Sequence, residues 1–259
     1  MTFLNGGSIF LSRLILNQSS RQVWNELANP YEMHRTLLRG FPEVSKDDGN
    51  NKVSSKFNIL FRADAEEERD RVIVYVQSTV EPNWLFLHTF HGYLIDGSDM
   101  PNPTSKDIGG IYQKLRDGQN LAFTLRANPT KRVAKKDDPM RGKRVELTRE
   151  EEQISWLIRK GVEREKGKPG GFELLMNEFK DRNGDVIKVP NVRIRQDGKQ
   201  KGSKRSGSSS LEMSHFAVTF QGILRITNAK NFHETLIQGI GSGKAFGFGL
   251  LSVVPAPLS

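Results

Sequence analysis

Not one of the 259 residues is cysteine. That removes disulfides, thiol nucleophiles and cysteine-ligated metal together, and it fits a reducing, cytoplasmic setting. No apolar run reaches the roughly 18 residues of a membrane-spanning helix. The opening "MTFLNGGSIFLSRLILNQ" lacks a basic leader, and Arg13 interrupts its apolar stretch, so it does not read as a secretion signal. Histidine is scarce, with 5 in the chain. His88 and His91 lie close, but no nearby carboxylate completes a metal set. The tail "GIGSGKAFGFGLLSV" lacks the serine-hydrolase elbow. It is not a phosphate-cradling Walker loop either, because Gln238 stands where the first glycine belongs and Ala245 follows Lys244. The loop also runs from helix to strand, the reverse of the dinucleotide-binding order.

Negative charge is in deficit as well: 39 Lys and Arg face 30 Asp and Glu, a net +9. Such a balance points to a polyanionic partner, nucleic acid or an acidic membrane surface. No helix has the strongly basic amphipathic face that a membrane surface requires. What remains is an enzyme without metal or cofactor, or a binding protein.

Hydrophobic residues make up 36% of the chain and mean hydropathy is −0.53, as in an ordinary globular protein. The length allows two small domains. "SIFLSRLIL" (8–16) reads as a strand, and "SSRQVWNEL" (19–27) as a helix capped by Ser19 with Gln22. Strands at 54–63 and 71–80 flank an acidic turn, a weak helix lies near 107–115, and "LAFTLRA" (121–127) closes a β-α-β-β-α-β series. A second series follows: strand 143–148, then helix 149–166 with Ile154, Leu157, Ile158 and Val162 on one face. After it come strands in "GGFELLMNEFK" and "DVIKVPNVRIRQ", strand 214–227, helix 228–238 and strand 245–254. The fold class is therefore α+β, with domains 1–135 and 140–259 meeting at the charged "KKDDPMRG" (135–142).

"NELANPYEMHRTLLRGF" (25–41) carries the chemistry. Asn29 suits an N-cap, Pro30 the first helical position, and Glu32 a capping-box partner, so a helix starts at Pro30 and stops before Gly40. Tyr31 and His34 then share a face, with Cβ atoms about 5–6 Å apart, at a helix start that favours an anion. Arg35 and Arg39 form a cationic stripe beside them. A phenol, an imidazole and arginines near a phosphate are the parts for metal-free RNA cleavage, in which protons move and cations stabilise the phosphorane. Spacing alone leaves open that Tyr31 and His34 simply cover the core.

Two basic runs, "RANPTKRVAKK" (126–136) and "RIRQDGKQKGSKR" (193–205), carry Arg126, Lys131, Arg132, Lys135 and Lys136, and Arg193, Arg195, Lys199, Lys201, Lys204 and Arg205. The second reads as a hairpin whose cations track phosphates; a solvated loop is the alternative. Gly241, Gly243 and Lys244 mark a turn where backbone can approach an RNA backbone, or simply pack tightly.

"LANPYEMHRTL", "LRANPTKR", "GKRVEL", "WLIRKGVE…GGFELL" and "GIGSGKAFGFGLLSV" run in the order of similar segments in one family. The chain resembles the CasE-type endoribonucleases, which process precursor CRISPR RNA in type I-E Cascade. The resemblance implies tandem ferredoxin-like, RRM-like βαββαβ domains. It implies sequence- and structure-specific, metal-independent cutting of repeat stem-loops by 2′-OH attack. The products would be a 2′,3′-cyclic phosphate or 3′-phosphate and a 5′-hydroxyl, with no cofactor, and the enzyme would stay bound to the mature guide RNA beside other Cascade subunits. It places the family's tyrosine and histidine on Tyr31 and His34, its glycine-rich loop on 239–249 and its basic hairpin on roughly 190–210. There an extra "GSKRSGSSS" loosens the match. The family's further active-site lysine falls near Arg39, which keeps the charge but cannot transfer a proton. The N-terminal segment is longer than the family leads one to expect and receives no role. A non-catalytic RRM-like RNA-binding scaffold is the alternative, separated from an enzyme by the Tyr31–His34 pair.

Overall fold

The structure, a computed structural model, describes residues 7–43, 53–95, 101–135, 138–162, 169–206 and 209–257. It divides into two compact units. One takes in the chain up to Lys114 together with Gln200–Ser214 and Gly243–Leu250. The other comprises Leu115–Lys199, His215–Ser242 and the residues from Leu251 on.

In the first unit, strand β1 (Phe10–Asn17) is followed by helices α1 (Arg21–Ala28) and α2 (Pro30–Leu38) and a single turn, α3 (Val53–Lys56). Then come β2 (Leu60–Glu66), β3 (Arg71–Ser78), β4 (Thr104–Asp107) and a last helical turn, α4 (Gly109–Tyr112). The antiparallel sheet has the order β2-β3-β1-β4, a ferredoxin-like arrangement. Its fourth strand is β4, not the expected 121–127. The expected helix near 107–115 follows the sheet, and residues 54–56 of the expected strand are helical. Leu14, Leu16, Val72, Val74 and Val76 form a buried sheet face that Val23, Met33 and Leu37 of the helices cover.

Into that core α1 inserts a carboxylate. Glu26 is 3% exposed and accepts from Thr36 Oγ1 (2.6 Å), Tyr93 Oη (2.5 Å) and Gln22 Nε2 (3.1 Å). Three donors on three segments satisfy a group that would otherwise be costly to bury. Gln22 is therefore spent on Glu26 rather than on a cap, and the expected cap Ser19 donates instead to Asp70 (2.7 Å). The helix begins after Ser20, whose side chain makes no cap bond.

In the second unit β5 (Asn120–Ala127) is followed by the hairpin β6 (Thr130–Lys135) and β7 (Asp138–Glu146), then α5 (Glu150–Gly161). Next come β8 (Phe172–Leu174), the hairpin β9 (Met176–Lys180) and β10 (Val186–Pro190), and the long strands β11 (Val192–Ser206) and β12 (Ser209–Ile226). Helix α6 (Ala229–Gln238) and β13 (Leu251–Pro255) complete the chain. The sheet runs β11-β12-β5-β13, with β8 also on β12. Without β11 the order is β8-β12-β5-β13, the ferredoxin-like pattern again.

Strand 121–127 thus opens the second unit instead of closing the first, and the expected boundary at 135–142 falls on the β6–β7 hairpin, partly outside the described residues. The buried face of α5 is also turned from the expected one. Gln153, Trp156 and Leu157 are buried, while Ile158 and Val162 are 43% and 61% exposed. Trp156 stacks on Phe220 (centroids 6.1 Å) and Gln153 donates to Leu147 O (2.8 Å), so the largest ring and a satisfied amide set the rotation. The stretch 185–196 is two strands, because Pro190 has no N–H to continue a ladder.

Burial, and secondarily the Glu26 carboxylate, raise the Tyr93 phenol well above the ordinary tyrosine range. A pKa raised on folding stabilises the fold below the unfolded value, near 10, and that stability is lost as pH rises above it. Unfolding free energy, measured by urea titration, should therefore decline above about pH 10, less steeply in Tyr93→Phe. At pH 7 that variant should lose about 1–3 kcal/mol, the cost of leaving a buried acceptor underserved.

Candidate active site

Helix α2 starts where expected. Asn29 is extended (φ −131°, ψ 85°), as a residue before proline prefers, and Pro30 occupies the first helical position. The capping box does not form: Asn29 makes no side-chain cap bond, and the Glu32 carboxylate accepts from Arg35 Nη1 (2.9 Å) instead. The helix turns Pro30, Met33, His34 and Leu37 into the core.

His34 is 6% exposed and Tyr31 is half-buried, with ring centroids 6.1 Å apart and 46° between planes. Each ring rests on an aromatic from elsewhere in the unit. His34 stacks on Phe61 of β2 (6.1 Å, 14°), and Tyr31 packs on Phe246 (6.0 Å, 34°). Phe246 ends a 3₁₀ turn, Lys244–Phe246, that packs against both α2 and β2. Glycine makes the approach possible. Gly247 has φ +77°, and a Cβ there would lie 3.1 Å from the Phe61 ring. Lys244 opens the turn, and partial burial lowers its ammonium pKa.

The ribbon strand β11 reaches the same place. A Cβ on Gly202 would lie 2.5 Å from the Phe246 ring and 3.0 Å from Asn29 Oδ1. The hairpin, distant in sequence from Tyr31 and His34, therefore crosses the start of α2. Tyr31, His34, the turn at Lys244 and the ribbon at Lys201–Gly202 form one surface. It offers a phenol and an imidazole as proton-transfer groups, beside the positive end of a helix.

Other expected site residues have local partners. Arg39 lies over Phe86 (4.7 Å) and Phe90 (5.0 Å) in cation–π contact at the C-terminal end of α2. Arg126 and Arg195 both bond Asp197, and Lys131 bonds Glu152 (2.8 Å), whose carboxyl pKa is lowered chiefly by that bond. Arg132, Arg193, Lys199 and Lys201 are exposed. Gly243, with φ +81°, abuts Phe248, while Gly241 lies in the second unit against Trp156. The side chains of Lys204 and Arg205 lie outside the described residues. Sequence reasoning missed Phe61, Phe246 and Gly202, while Gly247 lies in the glycine-rich loop expected at 239–249; only the alternation in "AFGFG" hinted at rings set around close-packed glycines. Among the described residues no cluster of three or more His, Asp or Glu is placed to hold a metal ion.

The CRISPR-associated protein family model matches residues 9–255. The CRISPR-associated endoribonuclease Cse3 of Thermus thermophilus is 33% identical over 252 residues, 95% of this chain and 100% of that protein. The CRISPR system Cascade subunit CasE of Escherichia coli is 30% identical over 253 residues, again 95% and 100%. Among solved structures, the Cse3 endoribonuclease bound to a 19-nucleotide RNA superposes with a TM-score of 0.68 at 34% identity, covering 96% of this chain and 100% of that one. Thermus thermophilus Cse3 bound to an RNA representing a pre-cleavage complex gives 0.65 at 34%, with the same coverage.

Gly202→Ala should force the ribbon or Phe246 to move, because 2.5 Å is closer than any methyl can sit. A loss of about 1–3 kcal/mol is expected, the usual cost of overpacking, read by chemical denaturation against Gly110→Ala, where a Cβ would meet nothing within 4 Å and φ is ordinary.

Proposed function

The chain belongs to the CRISPR-associated protein family, and from that premise we propose that it is a metal-independent endoribonuclease that cuts repeat stem-loops of precursor CRISPR RNA. The observation that carries this reading is the Tyr31–His34 pair, 6.1 Å apart at the start of α2 and backed by the glycine-rich turn. The RNA-bound and pre-cleavage states named for its relatives support the same class of activity.

One member of the pair takes the proton of the ribose 2′-OH as that oxygen attacks the adjacent phosphorus. The other gives a proton to the departing 5′ oxygen. A 2′,3′-cyclic phosphate and a 5′-hydroxyl result, with atoms and charge balanced and no hydrolytic water needed for the first cut. The negative charge that develops on the phosphorane is met by Lys244 and the positive end of the α2 dipole. Stacking on Phe61 limits the imidazole to one orientation, which proximity catalysis requires. The exposed cations Arg193, Lys199 and Lys201 along β11 contact the stem's phosphates, fixing register without reading bases. The product RNA stays bound, and the complex joins a Cascade-type assembly, as the name of the Escherichia coli relative suggests.

Cleavage of a labelled stem-loop repeat RNA should survive EDTA, and a 2′-deoxy substitution at the cut site should permit binding without cutting. Loss of activity in chelator, restored by Mg²⁺, would contradict the mechanism.

His34→Ala should lower the single-turnover rate about 10²–10⁴-fold with RNA affinity little changed. Tyr31→Phe should cost less, also in rate alone. A His34→Ala protein that fails to fold would mean the imidazole serves the core.

A further inference from the structure

On the face of the second unit's sheet opposite buried Leu121, Phe123, Leu125 and Ala127, one carboxylate gathers three donors from three strands. Asp197 of β11 accepts from Arg195 Nε on its own strand (2.8 Å), from Thr219 Oγ1 of β12 (2.8 Å) and from Arg126 Nε of β5 (3.2 Å). Thr219 and Arg126 are register partners, so the three strands carry one continuous polar row. The Asp197 and Arg126 side chains are each 16% exposed, whereas that of Arg195 is 78% exposed. Next to it, Gln196 Nε2 donates to Thr148 O (3.0 Å), tying the ribbon's base to the unit.

Asp197 is the sole acid of the basic run 193–205. It stands where the ribbon leaves the sheet, against two of the cations that would otherwise meet phosphate. We propose that Asp197 is a specificity-determining residue, an internal counter-anion that occupies Arg126 and Arg195 and releases Arg195 only to an RNA whose shape brings a phosphate over it. The inference rests on the RNA-binding reading above. Its physics is competition. An unrelated RNA that touches only the ribbon's exposed cations gains little by displacing a carboxylate already bonded at 2.8 Å. A stem-loop held in register by the rest of the surface presents its phosphate at high local concentration, and Arg195, mostly solvent-exposed, can turn to it. Arg126, largely covered, keeps Asp197 in place. The carboxylate thus removes a phosphate contact from indiscriminate binding while leaving it to the cognate complex, a repulsive element of the kind specificity requires.

The test is a salt titration of binding by the full chain, using a repeat stem-loop and an unrelated stem-loop RNA of equal length, with folding checked by thermal melting. Asp197→Asn should bind the unrelated RNA more tightly than wild type. Its log K against log[salt] slope should be steeper by about 0.7–0.9, the value of one neutralised phosphate, while Asp197→Glu keeps the wild-type slope. An unchanged or shallower slope in a folded Asp197→Asn overturns the inference. Should Asp197→Asn not fold, Arg195→Gln decides. An unaltered slope on the unrelated RNA, with a slope on the repeat shallower by one phosphate, supports a masked arginine. An equally shallower slope on both RNAs overturns it. A wild type that cuts the repeat while Asp197→Asn shows no change in slope sinks this inference alone. A wild type that binds neither RNA at low salt sinks it together with the proposed function.

Discussion

Phe61 is the contact on which the site depends. On one side of its ring lies the imidazole of His34, and another edge is within 3.1 Å of where a side chain at 247 would begin. Strand β2 holds the ring, and the ring in turn sets how near the glycine-rich turn comes to α2. An imidazole packed on a phenyl surface loses rotamer freedom during folding rather than during catalysis, as preorganisation demands. Glycine at 247 is then favoured twice, since its positive φ and a ring 3.1 Å from the Cβ position both disfavour a side chain. Glu26 works on the same helix from within the core. By accepting from Thr36 of α2 and from Tyr93 it ties the helix to a distant loop, the bond to Tyr93 spanning 67 positions.

The net charge of +9 overstates the cations on offer. Arg35, Lys131, Arg126 and Arg195 each have a carboxylate within 3.2 Å, and Arg39 lies over two phenyl rings. Exposed ion pairs contribute about 0–1 kcal/mol each, so a phosphate competes readily with Arg35–Glu32 and Lys131–Glu152. Asp197, largely covered and bonded by Thr219 as well, gives up its arginines less easily. The partners of the basic residues, more than their number, therefore decide which contacts an RNA can claim.

The helix carrying Tyr31 and His34 was legible because proline, flanking glycine and 3.6-residue periodicity all act within one turn or two. The ferredoxin-like class was legible for a similar reason, since each strand alternates locally. The assignment of 121–127 to a unit was not. That strand is equally amphipathic in either sheet, and only its pairing with β12 and β13, far along the chain, decides. The capping box failed because Arg35 competes for Glu32 and Gln22 serves Glu26, choices that tertiary geometry makes. Phe61, Phe246 and Gly202 were invisible for the same reason: each matters only through a neighbour remote in sequence.

The first unit draws on three stretches of chain, the last of them Gly243–Leu250. During synthesis its sheet can pair as soon as Asp107 has emerged, yet Phe246 and Gly247 arrive only after the second unit's strands β5 to β12 and helix α6. Until then Tyr31 lacks its aromatic support and the Phe61 ring lacks its glycine cover. The surface around Tyr31 and His34 is therefore completed only after the framework beneath it. A nascent or prematurely terminated chain would carry Tyr31 and His34 on a folded sheet without the turn that completes their surroundings.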